Sequence, residues 1–287
     1  ILAHFHDITE KNKINERLIQ SEKMMSIGGL SAGFAHEINN PIAGMLQNAS
    51  VVLNRLTKKS PKNLKVAEEI GMDFDKFMDF AEQRKITNMV RLIKETGDRA
   101  TEIISNMLSF SRKSESKFKE VSLAKLIDNT IKLIENDYDM KKQYDFRNIK
   151  LIKTYQPNIP SITIQESKIK QVVMNILKNG AEAMAEERLS MDDEEKQTKK
   201  PQFIINLFLE ANHEVIEIEN NGPPIPEKIK SRIFEPFFTT KEEGKGTGLG
   251  LSLSYFIITK DHNGEMFVES DGNVGTKFVI KLPVKNN

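Results

Sequence analysis

Between Ile27 and Phe110 apolar residues recur at helical spacing, and beyond Lys119 helical tracts alternate with strand-like runs; no other feature constrains the fold as much as this change of period. Ile27, Leu30, Phe34, Ile38, Ile42, Met45, Leu46, Ala49, Val52, Leu53 and Leu56 make a broad stripe on a helix that should stop near "TKKSPKN". A second tract resumes by about Ile70 and ends at "MLSFSRKSESK", with Met89, Ile93, Ala100, Ile103, Ile104, Met107, Leu108 and Phe110 as its stripe. Two such helices cannot bury both stripes as an isolated pair, whereas a dimer could close them into a four-helix bundle. The stretch from Pro61 to Lys85 is long for a helix connection and reads as extra helix. Upstream, Leu18, Ser21, Met25 and Gly28 follow Ile14 at alternating spacings of four and three, the rhythm of a short parallel coiled coil.

After Lys119, "VSLAKLIDNTIKLIEND" and "ESKIKQVVMNILKNGAEAMAEE" predict helices, and "NIKLIKTYQ" predicts a strand. "QFIINLFLEANHEVIEIENNG" reads as two strands turning near Ala211 and Asn212. "MDDEEKQTKK" reads as a solvated loop, "LGLSLSYFIITKDHNG" as a helix, and "EMFVESD" and "TKFVIKLPV" as the last strands. Segregated helices and mostly antiparallel strands give an α+β layer with helices on one face of a sheet.

At 287 residues the chain is long enough for about two domains. Lys plus Arg (42) nearly equals Asp plus Glu (41), so no global field favours nucleic acid or a membrane surface, and partners must be recognised locally. The absence of cysteine excludes disulfides and thiolate zinc sites and fits a reducing, cytoplasmic setting. No apolar run approaches the ~18 residues of a spanning helix. Because the first residue is Ile rather than Met, the chain is expected to be a fragment, with upstream membrane spans or sensory domains left open.

Gly244, Gly246, Gly248 and Gly250 precede an amphipathic helix, so backbone N–H groups there can turn toward an anion. No Gly-Lys-Ser/Thr triplet closes the stretch and no strand leads directly into it, which excludes a Walker loop and a dinucleotide fingerprint. Asn175 and Asn179 lie one helical turn apart, and their side-chain oxygens are hard ligands suited to Mg²⁺. Strand alternation puts Ile216, Ile218 and Asn220 on one face, with Asn220 ending it beside a Gly-Pro turn where an amide could meet the edge of a base.

In this order, "NILKNG", "NNGPPIP", "IFEPFFTTK", "GKGTGLGL" and "GNVGT" resemble the N, F and three glycine boxes of the sensor histidine kinases, members of the ATPase superfamily shared with gyrase and heat-shock chaperones. "FAHEINNP" is similar to their phosphoacceptor box, and the opening "HDIT" to the end of a PAS sensor domain. The resemblance implies a dimeric helical hairpin followed by an α+β ATP-binding sandwich, with boundaries at 1–23 (sensor end and coiled coil), 24–116 (dimerisation and phosphotransfer helices) and 117–287 (catalytic domain). It makes His36 the phosphoacceptor, Glu37 its general base and Asn40 the residue that positions water to dephosphorylate a partner's aspartate. Pro41 should bend the helix and make this turn deformable. By the same resemblance Mg²⁺-ATP is held by Asn175, Lys178, Asn179, Asn220, Gly222, Ile225, Phe238, Thr240, Lys241, Gly246, Thr247, Gly248, Leu249, Gly250, Leu251 and Thr276, with Asn179 the metal ligand. Phe234, Phe237 and Phe238 should anchor the base of a nucleotide lid. The expected partners are a second copy of the chain and the receiver domain of a response regulator.

Two positions depart from the family pattern. Asn220 stands where aspartate usually accepts the adenine amino hydrogen bond, which weakens that bond by on the order of 1 kcal/mol, and Pro224 replaces a glycine and stiffens the turn. A phosphatase-dominant enzyme and a catalytically silent nucleotide-dependent scaffold are therefore the competing readings. His4, His6, His213 and His262 have no partner in the sequence and read as structural or solvated.

Overall fold

The computed structural model describes residues 37–111, 117–136, 145–242, 246–271 and 275–284. The expected sensor end and coiled coil, His36, Gly244, residues 272–274 and the side chain of Phe110 lie outside the described set. The chain divides into two compact units at about residue 112.

The helical unit contains α1 (residues 37–57), α2 (Pro61–Glu69), α3 (Phe74–Gln83) and α4 (Ile86–Ser111). Helix α1 runs on through Pro41 and ends at its expected place. There the Ser60 hydroxyl caps α2 by accepting the Asn63 N–H at 3.2 Å, and Pro61 takes the first helical position. The Asn63 amide turns back and donates to the carbonyls of Asn54, Arg55 and Lys58 at 3.2, 3.3 and 2.7 Å, closing the end of α1. The segment read as extra helix is α2 and α3. The tract expected to run on from Ile70 is broken twice: Gly71 adopts φ 68° before the Asp73 cap of α3, and Lys85 adopts φ 57° before α4. Helices α1 and α4 meet closely at Gly97, where an added Cβ would sit 2.7 Å from Leu46 Cδ2. Ile42 and Ala49 are buried, but Ile38, Met45, Val52, Met89 and Ile93 stay 42–58% exposed, so a single copy covers only part of the two stripes.

The second unit is built on a mixed five-stranded sheet of order β2-β4-β5-β7-β6, formed by β2 (Lys150–Tyr155), β4 (Gln202–Glu210), β5 (His213–Asn220), β6 (Glu265–Asp271) and β7 (Gly275–Pro283). Only the β2–β4 pair is parallel, which the sequence pattern did not distinguish. Two short strands absent from the sequence reading, β1 (Lys119–Val121) and β3 (Ile162–Ile164), pair antiparallel beside it. Helices α5 (Leu123–Asn136) and α6 (Glu166–Ser190) arise where expected. The run read as a solvated loop contains a third helix, α7 (Asp193–Thr198), started by a capping box in which the Asp192 carboxylate accepts the Glu195 N–H and Glu195 returns to the Asp192 N–H. Helices α8 (Glu227–Lys230) and α9 (Gly250–Phe256) complete the set, and a π turn, Ile257–Asp261, continues α9.

Alternation along β5 behaves as expected: Ile216, Ile218 and Asn220 are buried together, with Phe203, Ile205 and Leu207 of β4 and Phe278, Ile280 and Leu282 of β7 on the same face. Each fully buried Ile, Leu or Phe contributes roughly 1.5–3 kcal/mol of transfer free energy, which makes this face the core of the unit. The opposite face is mixed: beside the buried Val215 and Val279 it carries ion pairs of Lys277 with Glu217 and Glu269, and of Lys281 with Glu210.

Glu214 breaks the pattern. It lies on the apolar face, fully buried, its carboxylate oxygens without a hydrogen-bond partner, and burial pushes its pKa up to about 7. The folded value exceeds the unfolded one, so between the ordinary glutamate range and about 7 the folded chain keeps a proton that the unfolded chain has lost. Stability therefore falls as pH rises through that window. Glu214→Gln should raise unfolding stability at pH 8 by roughly 2–3 kcal/mol and change it little at pH 5, measured by urea denaturation; equal gains at both pH values would rule out ionisation as the cause.

Candidate functional site

Helix α6 supplies the floor of the site. Asn175, Lys178, Asn179 and Glu182 follow at positions i, i+3, i+4 and i+7, hence on one face. The Asn175 amide donates to the Gly250 carbonyl at 3.1 Å and to Ser254 Oγ at 3.3 Å, and Ser254 Oγ donates to the same carbonyl at 2.9 Å. At the other end of the face, Glu182 forms an ion pair with Lys241. Lys241 and Gly250 are thus each tied to α6, with the half-buried Asn179 between the two ties.

Two of the glycines in that segment, Gly246 and Gly248, sit where a side chain would collide with its neighbours. Gly248 adopts φ 65°, and a Cβ on it would fall 2.4 Å from the carbonyl carbon of Phe237. A Cβ on Gly246 would lie 2.6 Å from Thr239 Oγ1 and 3.2 Å from the stem of Lys241. Thr239 Oγ1 in turn accepts the Lys241 N–H at 3.1 Å, and Thr247 Oγ1 accepts the Leu249 N–H at 3.4 Å. Leu249 is fully buried, Leu251 is half-buried and Thr240 is exposed.

Of the three phenylalanines expected under the lid, Phe234 is buried against Tyr255 of α9, with ring centroids 5.1 Å apart. Phe238 lies under the Arg232 guanidinium at 4.6 Å. Phe237 is instead half exposed: its left-handed backbone, φ 65°, turns the side chain outward and makes the main chain the surface that meets Gly248.

At the end of β5 the Asn220 side chain is buried and bonded on both sides. Its Nδ2 donates to the Thr276 carbonyl at 3.2 Å, and its Oδ1 accepts the Gly222 N–H at 3.1 Å. Ser270, which the sequence reading did not single out, joins this group: its Oγ accepts the Ile225 N–H at 2.7 Å, donates to the Gly275 carbonyl at 2.5 Å and lies 3.1 Å from Thr276 Oγ1. Asn220, Gly222, Ile225 and Thr276 are therefore brought together, and α6 comes close to them: a Cβ added at Gly180 would lie 3.1 Å from Asn220 Nδ2, and one added at Gly222 would lie 3.0 Å from Met184 Cγ.

His262 is structural rather than solvated. Its buried ring accepts the Gln165 N–H on Nε2 at 3.1 Å and donates from Nδ1 to the Ile257 carbonyl at 2.9 Å, which joins the start of α6 to the end of the π turn. The Gln165 bond could not be read locally, because its partner is 97 residues away. Glu182 was also missed, although its place at i+3 from Asn179 is legible. Glu37 and Asn40 are exposed on α1, in the other unit.

Residues 164–286 match the family of histidine kinase-, DNA gyrase B- and HSP90-like ATPases. Along its whole length the chain is 31% identical to sporulation kinase E of Bacillus subtilis (strain 168), aligned over 289 residues and covering 32% of that protein. Along its whole length, then, the chain is similar to the sensor histidine kinases, and residues 164–286 carry the ATPase domain. It is also 26% identical to the sensory histidine kinase/phosphatase NtrB of Rhizobium leguminosarum bv. phaseoli, over 100% of this chain and 66% of that protein. The crystal structure of histidine kinase ThkA in complex with the response regulator protein TrrA matches 98% of this chain and 68% of that chain at 26% identity, with a TM-score of 0.54. The chain spans about a third of the length of the sporulation kinase, and among its described residues no helix is long and apolar enough to cross a membrane.

Burial holds the His262 imidazole below its ordinary range, with Lys168 acting in the same direction and the Ile257 and Asp261 contacts opposing. The folded value lies below the unfolded one, so this contribution is complete above about pH 6.5 and declines as pH falls through the folded value. His262→Ala should cost about 2 kcal/mol at pH 7 by leaving the Gln165 N–H without its acceptor, and should flatten the loss of stability on acidification below pH 6.5. Thermal melts at pH 5.5 and 7.5 check both.

Proposed function

We propose that this chain is the kinase core of a two-component sensor: it autophosphorylates His36 from Mg²⁺-ATP, passes the phosphoryl group to an aspartate of a response-regulator receiver domain and also dephosphorylates that regulator. The observation that carries the reading is the double tie of the glycine-rich segment to the α6 face, through Asn175 to Gly250 and Glu182 to Lys241. It places cations, amide oxygens and side-chain-free backbone beside one another, the donor set a nucleoside triphosphate needs. Among the described residues there is no cluster of His, Cys, Asp and Glu suited to a metal ion, so a divalent ion here would rest on the Asn179 amide oxygen and the phosphates. Bound Mg²⁺-ATP supplies an activated γ-phosphoryl group with part of its charge neutralised.

The residues then act as follows. Asn175, Lys178, Asn179, Lys241, Gly246, Thr247, Gly248, Leu249, Gly250 and Leu251 bind the phosphates and metal, with Phe238 and Thr240 at the lid's base. Asn220, Gly222, Ile225 and Thr276 hold the base. A neutral His36 nitrogen forms the new N–P bond as the bond from the γ-phosphorus to the bridging oxygen breaks and ADP departs, while Glu37 takes the imidazole proton. Asn40 orients the water that releases phosphate from the regulator. The segments are 1–23 as sensor end and linker, 24–116 as dimerisation and phosphotransfer helices and 117–287 as catalytic domain, in a cytoplasmic homodimer. The exposed apolar residues of α1 and α4 support dimerisation, since a second hairpin would cover them. The similarity to ThkA, solved in complex with the response regulator protein TrrA, and to the kinase/phosphatase NtrB supports the regulator and the dual activity.

A phosphatase-dominant balance is the second reading, favoured by Asn220: its oxygen already accepts the Gly222 N–H and carries no charge to assist a bond from a base. Phosphate incorporation from radiolabelled Mg²⁺-ATP decides between them. The expected result is an acid-labile, alkali-stable label that vanishes in His36→Ala, together with regulator dephosphorylation that survives His36→Ala and falls at least tenfold in Asn40→Ala. Absence of label in a chain that binds nucleotide would remove the autokinase.

A further inference from the structure

Most ion pairs on this chain are solvated; Lys59 and Asp75, for example, are 53% and 66% exposed. Lys241 and Glu182 are only 26% and 28% exposed, and unlike the similarly covered Lys277–Glu217 pair on the sheet they join two parts of the candidate site. Lys241 is held from several directions. Its N–H is fixed to Thr239 Oγ1, its stem packs beneath Gly246, and its ammonium is taken by the carboxylate. Glu182 in turn stands one turn beyond Asn179, on the face along which the phosphates would lie. An acid at that place opposes an incoming polyanion twice, by direct repulsion and by occupying the cation that would receive it.

We propose that Glu182 is a latch on Lys241, and that the terminal phosphate of a nucleoside triphosphate must displace the Glu182 carboxylate from the Lys241 ammonium in order to bind there. The inference rests on the nucleotide reading given above and adds a determinant of triphosphate selectivity to it. The exchange of partners, carboxylate for phosphate, occurs only when a terminal phosphate is present, so Glu182 weakens triphosphate binding while diphosphate binding leaves the latch shut. Glu182 acts through Lys241 and is a positioning residue. Two other roles for it make opposite predictions: a metal ligand beside Asn179 would be needed for Mg²⁺, and a purely structural tie would be needed for affinity.

The test is calorimetric titration of Mg²⁺-ATP and Mg²⁺-ADP into the full chain, its Glu182→Gln variant, Lys241→Met and the double variant, with the Mg²⁺ requirement for ATP binding measured alongside. The latch predicts about tenfold tighter ATP binding in Glu182→Gln, a change of less than about twofold for ADP, an unaltered Mg²⁺ requirement, and loss of most of the gain when Lys241→Met is also present. Unchanged or weaker ATP binding, an equal gain for ADP, or a raised Mg²⁺ requirement would overturn it. Failure of the unaltered chain to bind either nucleotide would overturn the nucleotide reading itself, whereas normal binding that ignores Glu182→Gln overturns the latch alone.

Discussion

The close seat of α6 on the sheet at Gly180 is the constraint on which the candidate site depends. A Cβ there would stand 2.7 Å from the Phe203 ring and 3.1 Å from the Asn220 amide, so any larger residue lifts the helix from β4 and β5. The consequences spread in two directions. On the strand side, Asn220 would lose the fixed geometry in which it reaches both Thr276 and Gly222. On the solvent side, Asn175 and Glu182 ride on the same helix and tie it to Gly250 and Lys241. A displacement of even one ångström would lengthen those hydrogen bonds beyond useful range. The floor, the base end and the lid are thus set by one helix-to-sheet distance.

Much of this was legible from local pattern. The strands from Glu265 to Asp271 and from Gly275 to Pro283, the turn at Ala211 and Asn212, and the helices carrying Asn175 and Gly250 all announce themselves by period and punctuation. Helix α7 escaped because it has no buried residue and therefore no apolar period; its only signal is the Asp192–Glu195 capping box inside a polar run. The strands β1 and β3, three residues each, are too short to alternate. The parallel pairing of β2 with β4 leaves no local trace either, since α6 lies between them in sequence and the strands carry the same kinds of residue as their antiparallel neighbours.

The candidate site divides in the same way. Motif order located the glycines and the asparagines, because a helix terminus or a tight backbone approach demands particular residues at fixed spacing. What joins those motifs was not legible: Glu182 finds Lys241 across 59 residues, Ile225 finds Ser270 across 45, and Gln165 finds His262 across 97. Such pairings follow from the packing of α6 and the sheet, not from neighbouring residues. In the helical unit the converse holds. Its period is plain, yet one copy of the chain leaves several of the periodic residues in water, so the pattern alone does not say what covers them.

Asn63 has a mechanical consequence. Its one amide grips three carbonyls from the last turns of α1, at Asn54, Arg55 and Lys58, while its own backbone belongs to α2. An ordinary helix end frays, and a twist applied at its far terminus dissipates in the loosening of the final turn. Here those carbonyls are held by a residue of the next helix, so the end of α1 cannot loosen without breaking bonds that also anchor the start of α2.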